Sequence, residues 1–382
     1  MKKLLLTLTI PIFFLASCAK EKKETPKTEE TNKTEQTIAY ANGNVPSGLD
    51  ISIIDKTYAI WKEKYVTSEG CSEGAKRVLF DDMSHTVSEG IGYGMLASAM
   101  MRDVETFEAL HRYYKTHLDD NGLMNWKIDA KGGIAGENAA TDADLDVAYA
   151  LLLAHKLIGG NNYLEEAKKI ISRIKNHMVE KDTYVLKPGD VWGGSQTTNP
   201  SYFAPAYFKV FAEVTEDESW LKVSDKCYEI LFKSYNSETG LVPDWCKADG
   251  TTPADGVEWA KYNGTRYYYD AARTPWRITK DYLWYGDERA EAYCQAINGF
   301  VKKVGISKIT DGYDLEGNTF RKDKTSAFVG CFAVATMASY DQDFINDAYK
   351  ENINTFNNTY FNDILRLLTL QMQHGMFIKY ES

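Results

Sequence analysis

From Asp50 onward the chain alternates between two kinds of segment. In one kind, apolar residues return every three or four positions with charged residues between them. In the other, apolar and small residues fill nearly every position. Asn162 to Met178 belongs to the first kind: Tyr163, Ala167, Ile170, Ile171, Ile174 and Met178 fall on one helical face, and Glu, Lys and Arg on the other. That spacing predicts an amphipathic helix on the outside of a core. Glu218 to Tyr235 repeats the pattern. "ADLDVAYALLLAHKL" (Ala143–Leu157) is of the second kind and predicts a helix buried on most sides, and "SYFAPAYFKVFAEV" (Ser201–Val214) is the less polar neighbour of the 218–235 helix. Helix starts are predicted near Asp50, Glu89, Asp103, Asp142, Asn162, Tyr202, Glu218, Asp270, Glu288, Lys324, Gln342 and Tyr360. Period-two runs are confined to short pieces such as "TYVL" (Thr183–Leu186).

A buried helix followed by an amphipathic one, about six times over, predicts an all-α toroid with inner and outer helices. A helical solenoid is the alternative, but no short sequence repeat supports identical units. In a toroid, the loops at the N-termini of the inner helices converge on one central cleft. Here those loops are polar, aromatic and glycine-rich, which is where chemistry is expected.

The first 42 residues have a different character. "MKKLLLTLTIPIFFLASCAK" has Lys2 and Lys3, an apolar run from Leu4 to Ala16, then small residues and Cys18. The run is too short for a comfortable membrane span and reads as a targeting segment, residues 1–17. "LASC" (Leu15–Cys18) resembles the bacterial lipobox, which implies cleavage before Cys18 and lipidation of its thiol, and so a lipid-anchored protein of the bacterial cell envelope. "AKEKKETPKTEETNKTEQT" (Ala19–Thr37) has no apolar residue larger than Ala. Residues 18–42 are therefore expected to be the lipidated Cys and a disordered tether, and residues 43–382 one folded domain.

Composition narrows the partners. The net charge of −10, or −12 once Lys2 and Lys3 are removed, argues against nucleic acid and against an anionic membrane surface. Membrane contact is expected only through the N-terminal lipid. Five cysteines remain beyond Cys18, none in a CxxC pair, and six scattered histidines make no HExxH, so neither a disulfide framework nor a zinc site is expected. No cofactor is expected, and the chain is read as a monomer. Aromatics make up 13% of the chain, with 25 Tyr. Tyr and Trp with one wet edge are common at binding surfaces.

Three acidic stretches carry candidate chemistry. In "SEGIGYGM" (Ser88–Met95), Glu89 stands at a helix start, where favourable interaction with the macrodipole alone accounts for it. Three glycines in five positions are costly there unless backbone or ligand must come close. In "ATDADLDVAYALL", a cap or first-turn role explains one of Asp142, Asp144 and Asp146, not all three. Asp142 and Asp146 share a helical face and Asp144 points elsewhere. A calcium loop is a rival reading of these oxygens. An EF-hand over "HLDDNGLMNWKI" fails, because Ile128 stands where Glu is required, and "DDNG" reads as a turn. In "YYYDAARTPWR", Asp270 precedes a helix and Arg273 lies one turn on. A cap paired with Arg explains this, and so does a carboxylate kept ionised as a general base. Aromatic loops complete the set: Trp126 in "GLMNWKID", Trp192 and Tyr202 in "GDVWGGSQTTNPSYFAP", and Tyr360, Phe361 and Arg366 in "NNTYFNDILRLLTL".

"SEGIGYGM", "ATDADLDVAYALLLAHKL", "NPSYFAPAYF" and "YDAARTPWR", in that order, resemble glycoside hydrolase family 8 from about Glu89 to Arg366. The resemblance implies an (α/α)6 barrel of six inner and six outer helices and inverting cleavage of β-1,4-linked glycans. It places Glu89 as proton donor, Asp270 as base, and Asp142 as the carboxylate that holds the sugar, with Asp144 the alternative for that last role. Tyr202 and Arg273 match residues beside the base, Trp126 and Trp192 match stacking platforms, and Tyr93 and Tyr360 join them as substrate contacts. The glycines around Glu89 then read as room for a sugar chain. Ile91, Val147 and Ile158 depart from the family signature. The forms of the last two motifs, with "DILRLLTLQM", point to β-1,4-glucan or mixed-linkage glucan, with xylan next and chitosan after it. The rival from another class is a non-catalytic glycan-capturing lipoprotein.

Overall fold

The computed structural model describes residues 40–160 and 162–381. The expected targeting segment, Cys18 and the expected tether up to residue 39 lie outside the described residues. Among the described residues, Tyr40, three residues ahead of the expected boundary, already joins the folded body: its hydroxyl donates to the Met372 carbonyl at 2.8 Å, and the Asn42 N–H to the Leu283 carbonyl at 3.2 Å.

Twelve α-helices occur among the described residues: α1 (Ile51–Tyr65), α2 (Ser88–Met100), α3 (Val104–Thr116), α4 (Thr141–Leu157), α5 (Tyr163–His177), α6 (Pro205–Thr215), α7 (Ser219–Ser234), α8 (Thr274–Tyr285), α9 (Glu288–Val304), α10 (Ser326–Ala335), α11 (Gln342–Asn354) and α12 (Tyr360–Gln373). The even-numbered helices form the inner ring. α12 packs on α2, α2 on α4, α6 on α8, α8 on α10 and α10 on α12. Between α4 and α6 the ring is closed by side chains, with Tyr149 stacked on Tyr207 at a centroid distance of 4.1 Å. Each odd-numbered helix lies outside, α3 against α2, α5 against α4, α7 against α6, α9 against α8, α11 against α10, and α1 against α12. This is an (α/α)6 barrel.

Sequence character follows position. α10 is buried at every residue and α4 from Thr141 to Ala154, whereas α5 buries Tyr163, Ala167, Ile170, Ile171 and Ile174 and leaves its charged face out. Leu151, Leu152 and Leu153 are all fully buried, each worth roughly 1.5–3 kcal/mol of burial. α10 has no polar face to orient it, and small residues set how closely inner helices approach their neighbours. A Cβ on Gly92 would lie 2.8 Å from the Ala143 carbonyl of α4, and one on Gly94 would lie 2.8 Å from Leu110 of α3. These glycines let helices approach. They leave no room for a ligand, contrary to the expectation from sequence.

The expected strand at Thr183–Leu186 reduces to one bridge, Val179 with Leu186, because Asp182 (φ 68°) and Tyr184 (φ 61°) leave the extended region. Strands form elsewhere. β1 (Val66–Thr67) pairs with β2 (Arg77–Val78), and β3 (Thr86–Val87), β4 (Asn125–Ile128) and β5 (Ile134–Ala139) make a small antiparallel sheet in that order. Val87 pairs with Lys127, and Asn125 with Ala139. β3 runs directly into α2, and β5 reaches α4 through Ala140, so this sheet ties the starts of two inner helices together.

Candidate active site

The N-termini of the inner helices open into one cleft of about 680 Å³. Glu89 is the second residue of α2, Asp142 the second of α4 and Phe361 the second of α12. Tyr202 ends a single 3-10 turn before α6, and Asp270 precedes the turn Ala271–Arg273 that leads into α8. Glu89, Asp142, Asp270 and Arg273 line the cleft together with Trp126, Trp192, Trp245 and Trp259.

None of these three acids caps its helix. Val87 and Ala140 occupy the cap positions of α2 and α4 with no side-chain cap, and Asp270 makes no cap bond. Outer helices behave differently. Asp50, Asp103, Asp287 and Asp341 each accept a first-turn N–H, at the starts of α1, α3, α9 and α11. The acids of the inner ring turn instead to Arg273.

Arg273 gathers all three carboxylates and uses every N–H of its guanidinium. Nη1 donates to Glu89 Oε2 at 2.6 Å and to Asp142 Oδ2 at 2.7 Å. Nη2 donates to Asp270 Oδ1 at 2.8 Å and Ser201 Oγ at 3.1 Å, and Nε to the Asp270 carbonyl at 3.3 Å. The guanidinium is buried and lies 5.3 Å from the centroid of the Tyr202 ring. Only a planar five-donor group can hold three acids in one plane this way. One turn further down, Arg277 repeats the arrangement with Asp146, bidentate at 2.6 and 2.7 Å and fully buried. Two Asp–Arg pairs thus zip α4 to α8 at one-turn spacing.

The three acids differ in access. The side chain of Glu89 is 17% exposed, that of Asp270 28% and that of Asp142 3%. Burial raises the Glu89 carboxyl to about 7; Arg273 opposes the shift and the nearby Asp142 charge adds to it. The Tyr360 hydroxyl, donating to Glu89 Oε1 at 3.0 Å, also favours the ionised form. Burial likewise raises Asp142, against the pull of Arg273. At neutral pH Glu89 holds its proton for a large part of the time, in a cleft that also contains carboxylates able to accept one.

Aromatic walls rise on both sides. Trp126 on β4 and Trp192 in the loop between α5 and α6 are 44% and 38% exposed. Each lies against a glycine with ordinary backbone: a Cβ on Gly136 would come within 2.4 Å of Trp126 Nε1, and one on Gly189 within 2.6 Å of Trp192 Nε1. Trp192, Trp245 and Trp259 continue as a chain of rings with centroids 5.6 Å apart at each step. Trp245, Trp259 and Tyr269 were not among the sequence-predicted contacts. Tyr269 stood in the quoted "YYYDAAR" run, but the two tryptophans sit in segments with no periodic pattern to mark them.

Three expected ligand contacts do not reach the cleft. Asp144 is fully buried and points at α3, accepting from the Tyr114 hydroxyl at 2.6 Å and the Met124 N–H at 3.3 Å, so of the two candidates only Asp142 faces the cleft. Two residues along a helix is about 200° of rotation, which is why they diverge. Tyr93, one turn below Glu89, is fully buried edge-on against Trp276, with its hydroxyl 3.4 Å from Arg273 Nη1. Tyr360 is buried behind Glu89 and touches the acid rather than the cleft. Arg366 binds the carbonyls of Asn352 and Ile353, away from the site. Among the described residues no group of His, Cys, Asp and Glu is placed to hold a metal.

The sequence profile described as Glycosyl hydrolases family 8 matches residues 41–375. "Endoglucanase 2" of Ruminiclostridium josui is 47% identical over 337 residues, covering 85% of this chain and 72% of that protein. A "Beta-glucanase" of Niallia circulans is 34% identical, covering 90% and 91%. Among solved structures, the apo structure of a beta-1,3-1,4-glucanase from Paenibacillus sp. X4 superposes with a TM-score of 0.82 at 34% identity, over 90% of this chain and 97% of that one.

Proposed function

We infer that this chain, which belongs to glycosyl hydrolases family 8 and is a glycoside hydrolase of the cellulase type, is an inverting endo-enzyme acting on β-1,4-linked or mixed-linkage glucan. The observation that carries the reading is one buried guanidinium holding two reachable carboxyls and one covered carboxylate at the floor of a tryptophan-walled cleft. Glu89, raised to about 7 by burial, protonates the leaving glycosidic oxygen. Asp270, as carboxylate, takes a proton from a water on the opposite face of the sugar. Inversion needs the two carboxyls roughly 6.5–9.5 Å apart when substrate is bound, to admit that water. Asp142 steadies the sugar at the cleavage point and the positive charge that develops on it. Trp126 and Trp192 offer ring faces to the apolar faces of neighbouring sugars.

Glucan is favoured over xylan by the names of the relatives above 30% identity, which are endoglucanases and beta-glucanases. The lipid on Cys18 and a place in the cell envelope rest on the "LASC" motif alone. No helix of the described residues is long and apolar enough to cross a membrane. The test is reducing-sugar release from carboxymethylcellulose, lichenan, xylan and chitosan, with product sizes recorded. Fastest release from lichenan or carboxymethylcellulose, as mixed oligosaccharides, is expected. Glu89→Gln and Asp270→Asn should each abolish turnover and keep oligosaccharide binding. A Glu89→Gln protein at wild-type rate rejects the assignment of the acid. A retained anomer in proton NMR rejects inversion.

A further inference from the structure

Asp270 has an unusual demand on it. It begins the turn that leads into α8, where an Asp side chain ordinarily satisfies the first N–H groups, yet its carboxylate faces the cleft. The N–H of Ala271 does not go unsatisfied. Asp244, 27 residues earlier and 4% exposed, places one oxygen, Oδ1, 2.7 Å from the Ala271 N–H and 3.0 Å from the Tyr268 N–H, one on each side of Asp270. The next residue, Trp245, donates its indole N–H to Asp270 Oδ2 at 3.1 Å, while Arg273 holds Oδ1. Asp244–Trp245 is itself fixed by three backbone bonds: Asp244 N–H to the Arg266 carbonyl, Trp245 N–H to the Gly264 carbonyl, and Cys246 N–H to the Thr198 carbonyl.

We propose that Asp244 and Trp245 form a two-residue clamp for the base. Asp244 supplies from a distance the cap that Asp270 does not make, and Trp245 fixes the second oxygen of the Asp270 carboxylate, so that this carboxylate keeps one orientation toward the attacking water. Both are positioning residues, and the inference rests on the reading of Asp270 as base. The role of Asp244 is that of an acceptor: one oxygen takes two N–H groups, and an amide oxygen can do the same. Burial also drives its carboxyl well above the usual range, in keeping with a group that works without a charge.

The experiment compares Asp244→Asn, Asp244→Ala and Trp245→Phe with wild type and Asp270→Ala, measuring kcat and KM on lichenan across pH. Asp270→Ala must be inactive; if it turns over, the base reading fails first and the clamp falls with it. With that control in place, Asp244→Ala is expected to lose about a hundredfold in kcat with KM within a factor of about two, since a small misplacement of a reacting group costs this much. Asp244→Asn should stay within about threefold of wild type. Trp245→Phe keeps the ring in the cleft wall and removes the N–H that holds the second oxygen of Asp270, so kcat should fall about tenfold with KM within a factor of about two. The clamp is overturned if Asp244→Asn loses as much as Asp244→Ala, if Asp244→Ala retains wild-type kcat, or if Trp245→Phe retains wild-type kcat. Should Asp244→Ala fail to fold, Asp244→Asn and Trp245→Phe decide the matter.

Discussion

Removing one hydroxyl behind Glu89 offers a direct test of what sets its acidity. The Tyr360 ring is packed against Phe80 and Tyr65, with centroids 5.2 and 6.2 Å away, and its hydroxyl donates to Glu89 Oε1 at 3.0 Å. Tyr360→Phe keeps the ring and deletes only that donor. A hydrogen bond to a charged acceptor is worth about 1.5–3 kcal/mol and one to a neutral acceptor about 0.5–1.5 kcal/mol, so the ionised form of Glu89 loses about 1 kcal/mol more than the protonated form. At 1.36 kcal/mol per unit this raises the Glu89 carboxyl by about 0.7 unit above its value of about 7. The sign is fixed. A general acid works protonated, so activity falls as pH rises through that value, and the variant should hold its activity to higher pH. The assay is kcat/KM against pH on lichenan at constant ionic strength. Wild type should fall with a midpoint near 7, and Tyr360→Phe with a midpoint nearer 8. A midpoint that stays put or moves down refutes the claim that Tyr360 stabilises the Glu89 carboxylate, whatever happens to the maximal rate.

Three further outcomes follow from the same geometry. Burial raises Asp144 to about 8, so the folded state keeps a proton that the unfolded chain releases near pH 4, and stability declines as pH rises between those values, by on the order of 5 kcal/mol in full. Asp144→Asn keeps the acceptor for Tyr114 and Met124 and has no proton to lose, so it should unfold at higher denaturant than wild type at pH 9, match it near pH 4, and leave kcat unchanged; equal midpoints at pH 9 contradict the burial argument. Gly136→Ala drives a methyl into the Trp126 indole, and the lost platform should raise KM about fivefold, about 1 kcal/mol of uniform binding, at constant kcat. Arg273→Lys leaves a single ammonium among Glu89, Asp142 and Asp270, and should lower both kcat, by at least about a hundredfold, and the melting temperature; activity within tenfold of wild type means the three acids do not depend on the guanidinium.

The barrel was legible because its signal is local. Each helix announces itself through spacing, and the twelve expected starts fall within about four residues of the observed ones, the largest differences coming where a 3-10 turn precedes α6 and α8. The hairpin of β4 and β5 was not legible. "IAGENA" carries two alanines, a glycine, Glu and Asn, all poor strand residues, and it is held by cross-strand pairing with β4 and by Trp126 lying on Gly136. The three acids that meet at Arg273 were all singled out in the sequence, and Asp142 was separated from Asp144 only by which way each turns off the helix. What binds them was half visible. Arg273 was paired with Asp270 from sequence, three residues away, but its bonds to Asp142 and Glu89 span 131 and 184 residues and leave no periodic trace.

That distance explains why an acid at a helix start could not be assigned from its neighbours. Four outer helices cap themselves with the Asp that precedes them, and there the local reading is right. Three inner helices borrow their caps. Asp244 serves the turn before α8; Asn357 and Asn362 accept the N–H groups of Ser326 and Ala327 at the start of α10; Asp81 accepts the Tyr360 N–H at the start of α12. A helix end must have its N–H groups satisfied by something. When a remote residue does it, the acid beside the helix end is released for other work, and the macrodipole still favours its charge. Glu89, Asp142 and Asp270 make no cap bond of their own, and beside Asp270 the remote partner is Asp244. Their place at the start of inner helices is what the sequence records; their freedom from capping is a property of the closed ring, and the chemistry depends on that freedom.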